Sequence, residues 1–104
     1  MQFPDYRPRR MRQSESLRRM IRETTLTAND LIMPFFAVEG KNIETPIPSM
    51  PGQCHLSVDR LVAAARQTEK LKIPAGILFG LPGKKDPFGS QAYAKEGIVQ
   101  KAVK

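Results

Sequence analysis

The stretch "LIMPFFAVE", which runs from Leu31 to Glu39, decides the fold class of this chain. It is almost continuously apolar and shows no alternation of polar and apolar residues. Such a run is typical of a strand that is buried on both faces, as in a parallel sheet. We therefore predict a strand over Leu31–Val38. Pro34 has no backbone donor, so a bulge or an unpaired position is expected there.

A helix and a second buried strand follow this run. The segment 57–72 has Ser57 at its start, an acidic residue in its first turn and lysines in its last, all of which favour a helix. Its buried stripe is predicted to comprise Leu61, Ala64, Ala65, Thr68 and Leu71. Pro74 ends the helix, and "AGILFG" over Ala75–Gly80 predicts the second strand. A second helix is expected to start near 96–104.

The segment "KNIETPIPSMPG", from Lys41 to Gly52, separates the first strand from the first helix. Its three prolines and its glycine predict a rigid connection with turns. A strand, a crossover helix and a second buried strand form a parallel unit, which cannot end at two strands because its edges stay open. We therefore expect residues 26–104 to be part of a larger α/β barrel or doubly wound sheet.

Residues 1–25 form a basic amino-terminal arm. The net charge of the chain is +7, and seven arginines lie within the first 22 residues. Pro4 and Pro8 favour an extended segment, and Ser14 predicts the cap of a short helix that reaches about Thr24. The sequence "TAND" predicts a capping box between Thr27 and Asp30.

The arginines of the arm leave two kinds of partner open. Arginine forks pair with carboxylates on another subunit, which makes Arg7, Arg9, Arg10 and Arg12 candidates for oligomer contacts. Alternatively, the chain is a small basic non-catalytic module that binds nucleic acid or a protein partner through the arm. Nucleic acid is the less favoured partner because no aromatic platform or recognition helix accompanies the charge.

The sequence also indicates the compartment. It has one cysteine, which excludes an internal disulfide and fits a reducing environment. Its amino terminus lacks the apolar core of a secretory signal, and it has no apolar run long enough to span a membrane. A cytoplasmic protein without a membrane partner is the expectation.

Several motifs occur together in a distinctive order: "RPRRMR", "LIMPFFAVEG", "IPSMPG", "LSVDRLV", "IPAGILFG" and "GSQAYAKEGIVQKAVK". From about Arg7 to Lys104, the chain resembles the amino-terminal part of the porphobilinogen synthase family, also called delta-aminolevulinic acid dehydratase. The resemblance implies an α/β fold of the (β/α)8 barrel type, of which this chain would hold a truncated part, the arm and the first βαβ unit. It also implies that the arm embraces a neighbouring subunit of a homo-octamer.

The resemblance further implies a reaction and its cofactors. Family members join two molecules of 5-aminolevulinate to form porphobilinogen, with loss of two waters, on the route to haem. Two lysines of later barrel strands form Schiff bases with the substrates, and the enzyme depends on zinc or magnesium. Neither apolar run of this chain contains a lysine, and Cys54 with His55 is too small a donor set for zinc. We expect no catalytic residue and no bound metal in this fragment, which alone would be inactive.

Two residues remain as candidates for the substrate pocket. Barrel enzymes keep their sites at the carboxyl ends of the strands. Phe79 lies near the end of the second predicted strand, and Glu39 directly follows the first. Both are expected to line the pocket of the complete enzyme.

Overall fold

The computed structural model describes residues 2–7 and 9–104 and contains one mixed sheet with helices on one of its faces. The strands are β1 (Ile32–Val38), β2 (Glu44–Pro46), β3 (Cys54–Ser57) and β4 (Ala75–Leu81). The helices are α1 (Glu15–Met20), α2 (Val58–Lys70), α3 (Ser90–Tyr93) and α4 (Ile98–Val103). Single 3-10 turns lie at Arg10–Arg12 and Ala28–Asp30. None of the helices in the described ranges is long and apolar enough to cross a bilayer.

The sheet has the order β2-β3-β1-β4, with β1 at its centre. As predicted, the two apolar strands β1 and β4 pair in parallel, from Ile32 opposite Ala75 to Val38 opposite Leu81. β3 also pairs with β1 in parallel, but only at the last three residues of β1. Pro34 lies opposite Ile77 of β4. On the side of β3 it is unpaired, as expected for a proline, because pairing with β3 begins only at Phe36.

The proline-rich segment is more than the rigid connection that its sequence predicts. β2 and β3 form an antiparallel hairpin in which Thr45 faces His55. Two backbone hydrogen bonds close the turn between them. The N–H of Ile47 donates to the carbonyl of Gln53, and the N–H of Gln53 donates to the carbonyl of Met50. Gly52 takes the left-handed conformation that this turn needs, with φ of 84°. Pro46 is tolerated because it ends a short strand at the edge of the sheet.

Burial on both faces of β1 and β4 was expected, and this is wrong for the chain as it stands. The helices pack on one face only, where Phe35 and Ala37 of β1 join Leu61 of α2 and Ile98 of α4 in the core. The other face carries Phe36, which is half-buried, and Phe79, which is 45% exposed. No layer of the described residues covers it, because both apolar strands send their helices to the same side.

Helix α2 is shorter than predicted at both ends. It begins at Val58 and ends at Lys70, after which Lys72 takes a left-handed conformation with φ of 59°. Ser57 occupies the N-cap position, but its side chain makes no capping bond to the helix. Leu61 and Thr68 are buried, as the predicted stripe requires, whereas Leu71 is 61% exposed because the helix has already ended.

The carboxyl-terminal region also differs from the prediction in detail. β4 extends one residue further, to Leu81, and the helix expected near 96–104 is α4, Ile98–Val103. The one-turn helix α3 precedes it and was not predicted. Asp86 orders the loop before α3 by accepting hydrogen bonds from the backbone N–H groups of Phe88 and Ser90, each 3.0 Å long.

The amino-terminal arm extends away from the sheet. The radius of gyration is 21.4 Å, whereas a compact chain of this length would have roughly 13 Å. Ser14 caps α1 as predicted, accepting from the N–H of Leu17, but α1 ends at Met20 rather than near Thr24. The capping box between Thr27 and Asp30 is confirmed. Met1 and Pro8 of the predicted arm lie outside the described residues.

Candidate functional site

The carboxyl ends of β1 and β4 lie at the same edge of the sheet, because the two strands are parallel. Glu39 follows β1 there, and the loop that begins at Pro82 follows β4. Glu39 points toward this loop: a Cβ added to Gly83 would lie 3.1 Å from its Oε2 atom. The parallel register thus brings together two segments that are far apart in the sequence, which is the arrangement that α/β enzymes use for their sites.

A cavity of about 420 Å³ opens between the end of β4, the following loop and the start of α4. Its lining includes Gly80, Lys84, Lys85, Ser90 and Val99. Asp86 holds the loop that forms the wall of this cavity. The pKa of the Asp86 carboxyl is lowered mainly by a hydrogen bond from the backbone N–H of Ser90, and next by one from the Ser90 side chain. The sequence predicts only a loop here, although the Asp–Pro–Phe–Gly–Ser spacing is a signal for an ordered turn.

The two predicted pocket residues do not line this cavity. Phe79 lies on the uncovered face of the sheet, where its ring stacks on that of Phe36 with centroids 5.4 Å apart and an angle of 20°. His55 contacts the other side of Phe36 edge-on, at 6.3 Å. Glu39 is exposed at the carboxyl edge. Phe79 therefore lies against Phe36 on the uncovered face, whereas Glu39 lies beside Gly83 at the carboxyl edge.

A second network holds the segment after β1 to the start of α2. Ser57 is fully buried; its Oγ accepts from the N–H of Ile43 at 2.8 Å and donates to Asp59 Oδ1 at 2.6 Å. Asp59 also accepts from the N–H of Asn42, at 3.2 Å to Oδ1 and 3.0 Å to Oδ2. The hydrogen bond from Ser57 is the main reason that the pKa of Asp59 is lowered.

This network explains a backbone conformation of Asn42 that the sequence does not predict. Asn42 is in the left-handed region, with φ of 56°, and its side chain accepts from Arg60 Nε at 2.8 Å. Asparagine tolerates this conformation better than most residues. From the sequence, Asp59 is predicted only to complement the helix dipole. Its hydrogen bonds to Asn42 could not be predicted, because only the tertiary structure brings the two residues together.

The lysines near the carboxyl edge and at the end of α2 are exposed, and the Cys54–His55 pair is divided between two faces of the sheet. A Schiff-base lysine needs a desolvated site, but Lys70, Lys72, Lys84 and Lys85 are all exposed. Cys54 and His55 are adjacent on β3 and therefore point to opposite faces. In the described part of the chain, no three His, Cys, Asp or Glu side chains lie close enough together to hold a metal ion. These donors do not fit a zinc or magnesium site.

The comparisons with known proteins agree with one another. The family profile described as Delta-aminolevulinic acid dehydratase matches residues 5–104. The chain is 54% identical to the delta-aminolevulinic acid dehydratase of Synechocystis, covering 97% of this chain and 31% of the relative. It is 47% identical to the dehydratase of Methanothermus sociabilis, covering 100% of this chain and 32% of the relative. The chain thus spans about a third of the length of these relatives.

A solved structure gives the same assignment. The chain is similar to the delta-aminolevulinic acid dehydratase (porphobilinogen synthase) of Toxoplasma gondii ME49, which was solved in complex with the reaction product porphobilinogen. The TM-score is 0.85 at 30% sequence identity, and the match covers 94% of this chain and 28% of the other. On the strength of the profile, the relatives and the shared fold, this chain belongs to the delta-aminolevulinic acid dehydratase family and corresponds to the amino-terminal portion of its members.

Proposed function

We propose that this chain supplies the amino-terminal arm and the first strand–helix–strand unit of a (β/α)8 barrel enzyme. That enzyme would condense two molecules of 5-aminolevulinate to porphobilinogen, with loss of two waters. The family match over residues 5–104 carries this proposal. The alternative is a small basic non-catalytic module that binds nucleic acid or a protein partner through the arm. It gains no support, since the family match takes in nearly the whole chain, including most of the arm.

The shape of the sheet supports the structural part of this proposal. The face that carries Phe36 and Phe79 is apolar and uncovered, and it would form part of the barrel interior. α4 already packs beside β4: a Cβ on Gly80 would lie 2.6 Å from Val99 and 2.8 Å from Ile98. In a parallel sheet, the helix after a strand leads back to the start of the next parallel strand. The free edge of β4 is therefore the place for that strand.

The chain would contribute little of the chemistry itself. Its lysines at the carboxyl edge are exposed, so the Schiff-base lysines would come from strands that this chain does not contain. Zinc or magnesium, where the complete enzyme uses it, would be held by those later strands as well. Phe79 and Glu39 would act as walls of the substrate pocket, and Arg7, Arg9, Arg10 and Arg12 would dock on a neighbouring subunit of a cytoplasmic homo-oligomer.

A chimera tests the proposed function directly. The matching segment of the Synechocystis relative is replaced by this chain, and the purified protein is assayed for pyrrole formation from 5-aminolevulinate in the presence of zinc or magnesium. We expect an active chimera and no turnover by the 104-residue chain alone. A folded chimera that lacks activity would contradict the proposal, as would borohydride-sensitive turnover by the isolated chain.

The same chimera tests the individual residues. Phe79→Ala and Glu39→Gln should raise KM or lower kcat, and Phe88→Ala is the matched control, because Phe88 is 84% exposed in the loop after β4. Removal of residues 1–13 should lower the oligomeric mass. Unchanged kinetics in both pocket variants would contradict the assignment of Phe79 and Glu39 to the substrate pocket. An unchanged oligomeric mass would contradict the docking of the arm on a neighbouring subunit.

A further inference from the structure

The chain turns sharply directly after Glu39, at the carboxyl end of β1. Gly40 has φ of 120°, which side-chain-bearing residues rarely adopt, and a Cβ there would clash with the side chain of Ile43. Asn42 is also in the left-handed region, with φ of 56°. The conformation of this turn therefore sets the direction in which the chain leaves β1, and with it the position from which the Glu39 side chain starts.

Two side chains hold this turn through its backbone. The N–H of Ile43 donates to Ser57 Oγ at 2.8 Å, and the carbonyl of Ile43 accepts from the N–H of Ser57 at 3.0 Å. The N–H of Asn42 donates to the carboxylate of Asp59, at 3.2 Å to Oδ1 and 3.0 Å to Oδ2. Ser57 Oγ also donates to Asp59 Oδ1, so each side chain orients the other. We call Ser57 and Asp59, with their bonds to the turn, the clamp.

The clamp is attached to the ordered part of the fold. Ser57 is the last residue of β3 and pairs with Val38, the last residue of β1. Asp59 lies in the first turn of α2, which is fixed to the core by the buried side chain of Leu61. Because both anchors belong to elements that pack against β1, the turn between Glu39 and Ile43 is fixed relative to the end of that strand.

The other side of Glu39 faces the loop after β4. Gly83 leaves room for the carboxylate, since a Cβ there would lie 3.1 Å from Glu39 Oε2. Glu39 is exposed, and among the residues that the structure describes it takes part in no ion pair. Its carboxylate is thus accessible to a ligand at the carboxyl edge of the sheet, and the clamp acts on it only through the backbone.

We propose that Ser57 and Asp59 are positioning residues for the complete enzyme, which place the Glu39 carboxylate against the substrate by fixing the turn after β1. This inference rests on the proposed function, because Glu39 meets a substrate only in the complete barrel. Neither clamp residue touches the substrate: Ser57 is fully buried, and Asp59 is directed at the backbone of Asn42. The N-cap position supports this role, since the Ser57 hydroxyl makes no bond to the helix and is used for the turn instead.

A double-mutant cycle in the active chimera separates positioning from a purely structural role. Asp59→Ala removes the acceptor for the N–H of Asn42, and Glu39→Ala removes the side chain that the clamp is proposed to place. Asp59→Ala should lower kcat/KM by roughly tenfold to a hundredfold and change the same parameter, kcat or KM, as Glu39→Ala. In the Glu39→Ala background, Asp59→Ala should have less than about a twofold effect, because the two residues act as a unit.

Three further variants complete the test. Asp59→Asn keeps an oxygen that can accept from Ser57 and Asn42, so it should restore part of the activity lost in Asp59→Ala. Thr68→Ala is the matched control, because it removes another buried, hydrogen-bonded side chain of α2 far from the turn. It should change kcat/KM by less than about twofold. Should Asp59→Ala fail to fold, Asn42→Val takes its place, since a β-branched residue disfavours the left-handed conformation and displaces the N–H from Asp59.

The outcomes distinguish this inference from the proposed function. Equal losses from Asp59→Ala with and without the Glu39 side chain would overturn the positioning role, because a structural defect acts in both backgrounds. A loss of the same size in Thr68→Ala, or unchanged kinetics in Glu39→Ala, would overturn it as well. In each of these cases the original chimera remains active and the proposed function stands. An inactive original chimera would contradict the proposed function, and the positioning role would fall with it.

Discussion

The two faces of the sheet are built from the same strands, but helices cover only one of them. Phe35 and Phe36 are consecutive residues of β1. Phe35 is 6% exposed and packs under the helices, whereas Phe36 lies, with Ile77 and Phe79 of β4, on the face that no helix covers, here called the open face. The covered face has one dominant cluster, formed with Leu61 and Ile98. The difference shows that the apolar character of a strand predicts only that a layer is needed. Whether a layer is present depends on where the helices of the chain can reach.

The largest effect should come from removing a ring on the covered face. We expect Phe35→Ala to lower the free energy of unfolding by about 3–5 kcal/mol, because it leaves a cavity in the core. Phe36→Ala is the control on the open face and should cost about 1–2 kcal/mol, since its ring is only half-buried. Urea unfolding at a concentration where the chain is monomeric measures both. Equal losses would mean that the two faces are equally packed.

A smaller effect is expected where the covering helix approaches the sheet. Gly80→Ala should destabilise the chain by about 1–3 kcal/mol, because the new Cβ would meet Val99 at 2.6 Å and Ile98 at 2.8 Å. Gly83→Ala is the matched control, since its Cβ would meet only the flexible end of Glu39 at 3.1 Å. We expect a change within about 0.5 kcal/mol for Gly83→Ala. A neutral Gly80→Ala would show that α4 does not pack tightly on β4.

The attachment of the other covering helix should depend on pH. The folded state lowers the pKa of Asp59 below the ordinary value of an aspartate, mainly through the hydrogen bond from Ser57. A lowered pKa contributes stability above the unfolded value, and this stability is lost as the pH falls through the folded value. Asp59→Asn should therefore be less stable than the original chain near neutral pH, and the gap should close in acid.

Thermal unfolding between about pH 7 and pH 3 tests this prediction. Asp5→Asn, in the exposed arm, is the control and should follow the original chain at every pH. A gap between Asp59→Asn and the original chain that stays constant down to the lowest pH would show that the charge of Asp59 does not stabilise the start of α2.

The smallest effect is expected on the open face itself. Ile77→Thr should change the unfolding free energy of the monomer by less than about 1 kcal/mol, because Ile77 is already 46% exposed and threonine also favours strands. Leu78→Thr, one residue further and on the covered face, should cost more because Leu78 packs against the core. The comparison is made by chemical denaturation of dilute samples. A larger loss for Ile77→Thr would indicate that the open face is covered within the monomer.

An element could be predicted from the sequence when the residues whose interactions form it lie close together in the chain. The capping box of Thr27 and Asp30 spans three residues, so the sequence pattern was sufficient. The long apolar runs predicted β1 and β4 for the same reason. The hairpin of β2 and β3 was missed because its strands have three and four residues, and prolines dominate the intervening turn. Their pairing depends on contacts with β1, which no local pattern records.

The sequence could predict where the candidate residues lie along the strands, but not their contacts. The pattern of the first apolar run placed Glu39 directly after β1, and the structure has it there. It could not show that Glu39 lies beside Gly83, because this contact depends on the register of β1 and β4. The role of Ser57 was hidden for a similar reason: a serine before a helix predicts a cap, but the buried Oγ instead joins Ile43 to Asp59.

β1 pairs along its whole length with β4, which lies far from it in the sequence. This separation has a consequence for folding during biosynthesis. Ile32 leaves the ribosome well before Ala75, with which it pairs. At the usual rates of translation the delay is about 2–9 s, far longer than a hairpin needs to form. During that interval β3 can already pair with the end of β1, at Phe36 to Val38. The hairpin of β2 and β3 thus gives the nascent β1 its first partner and shortens the time for which one of its edges is free.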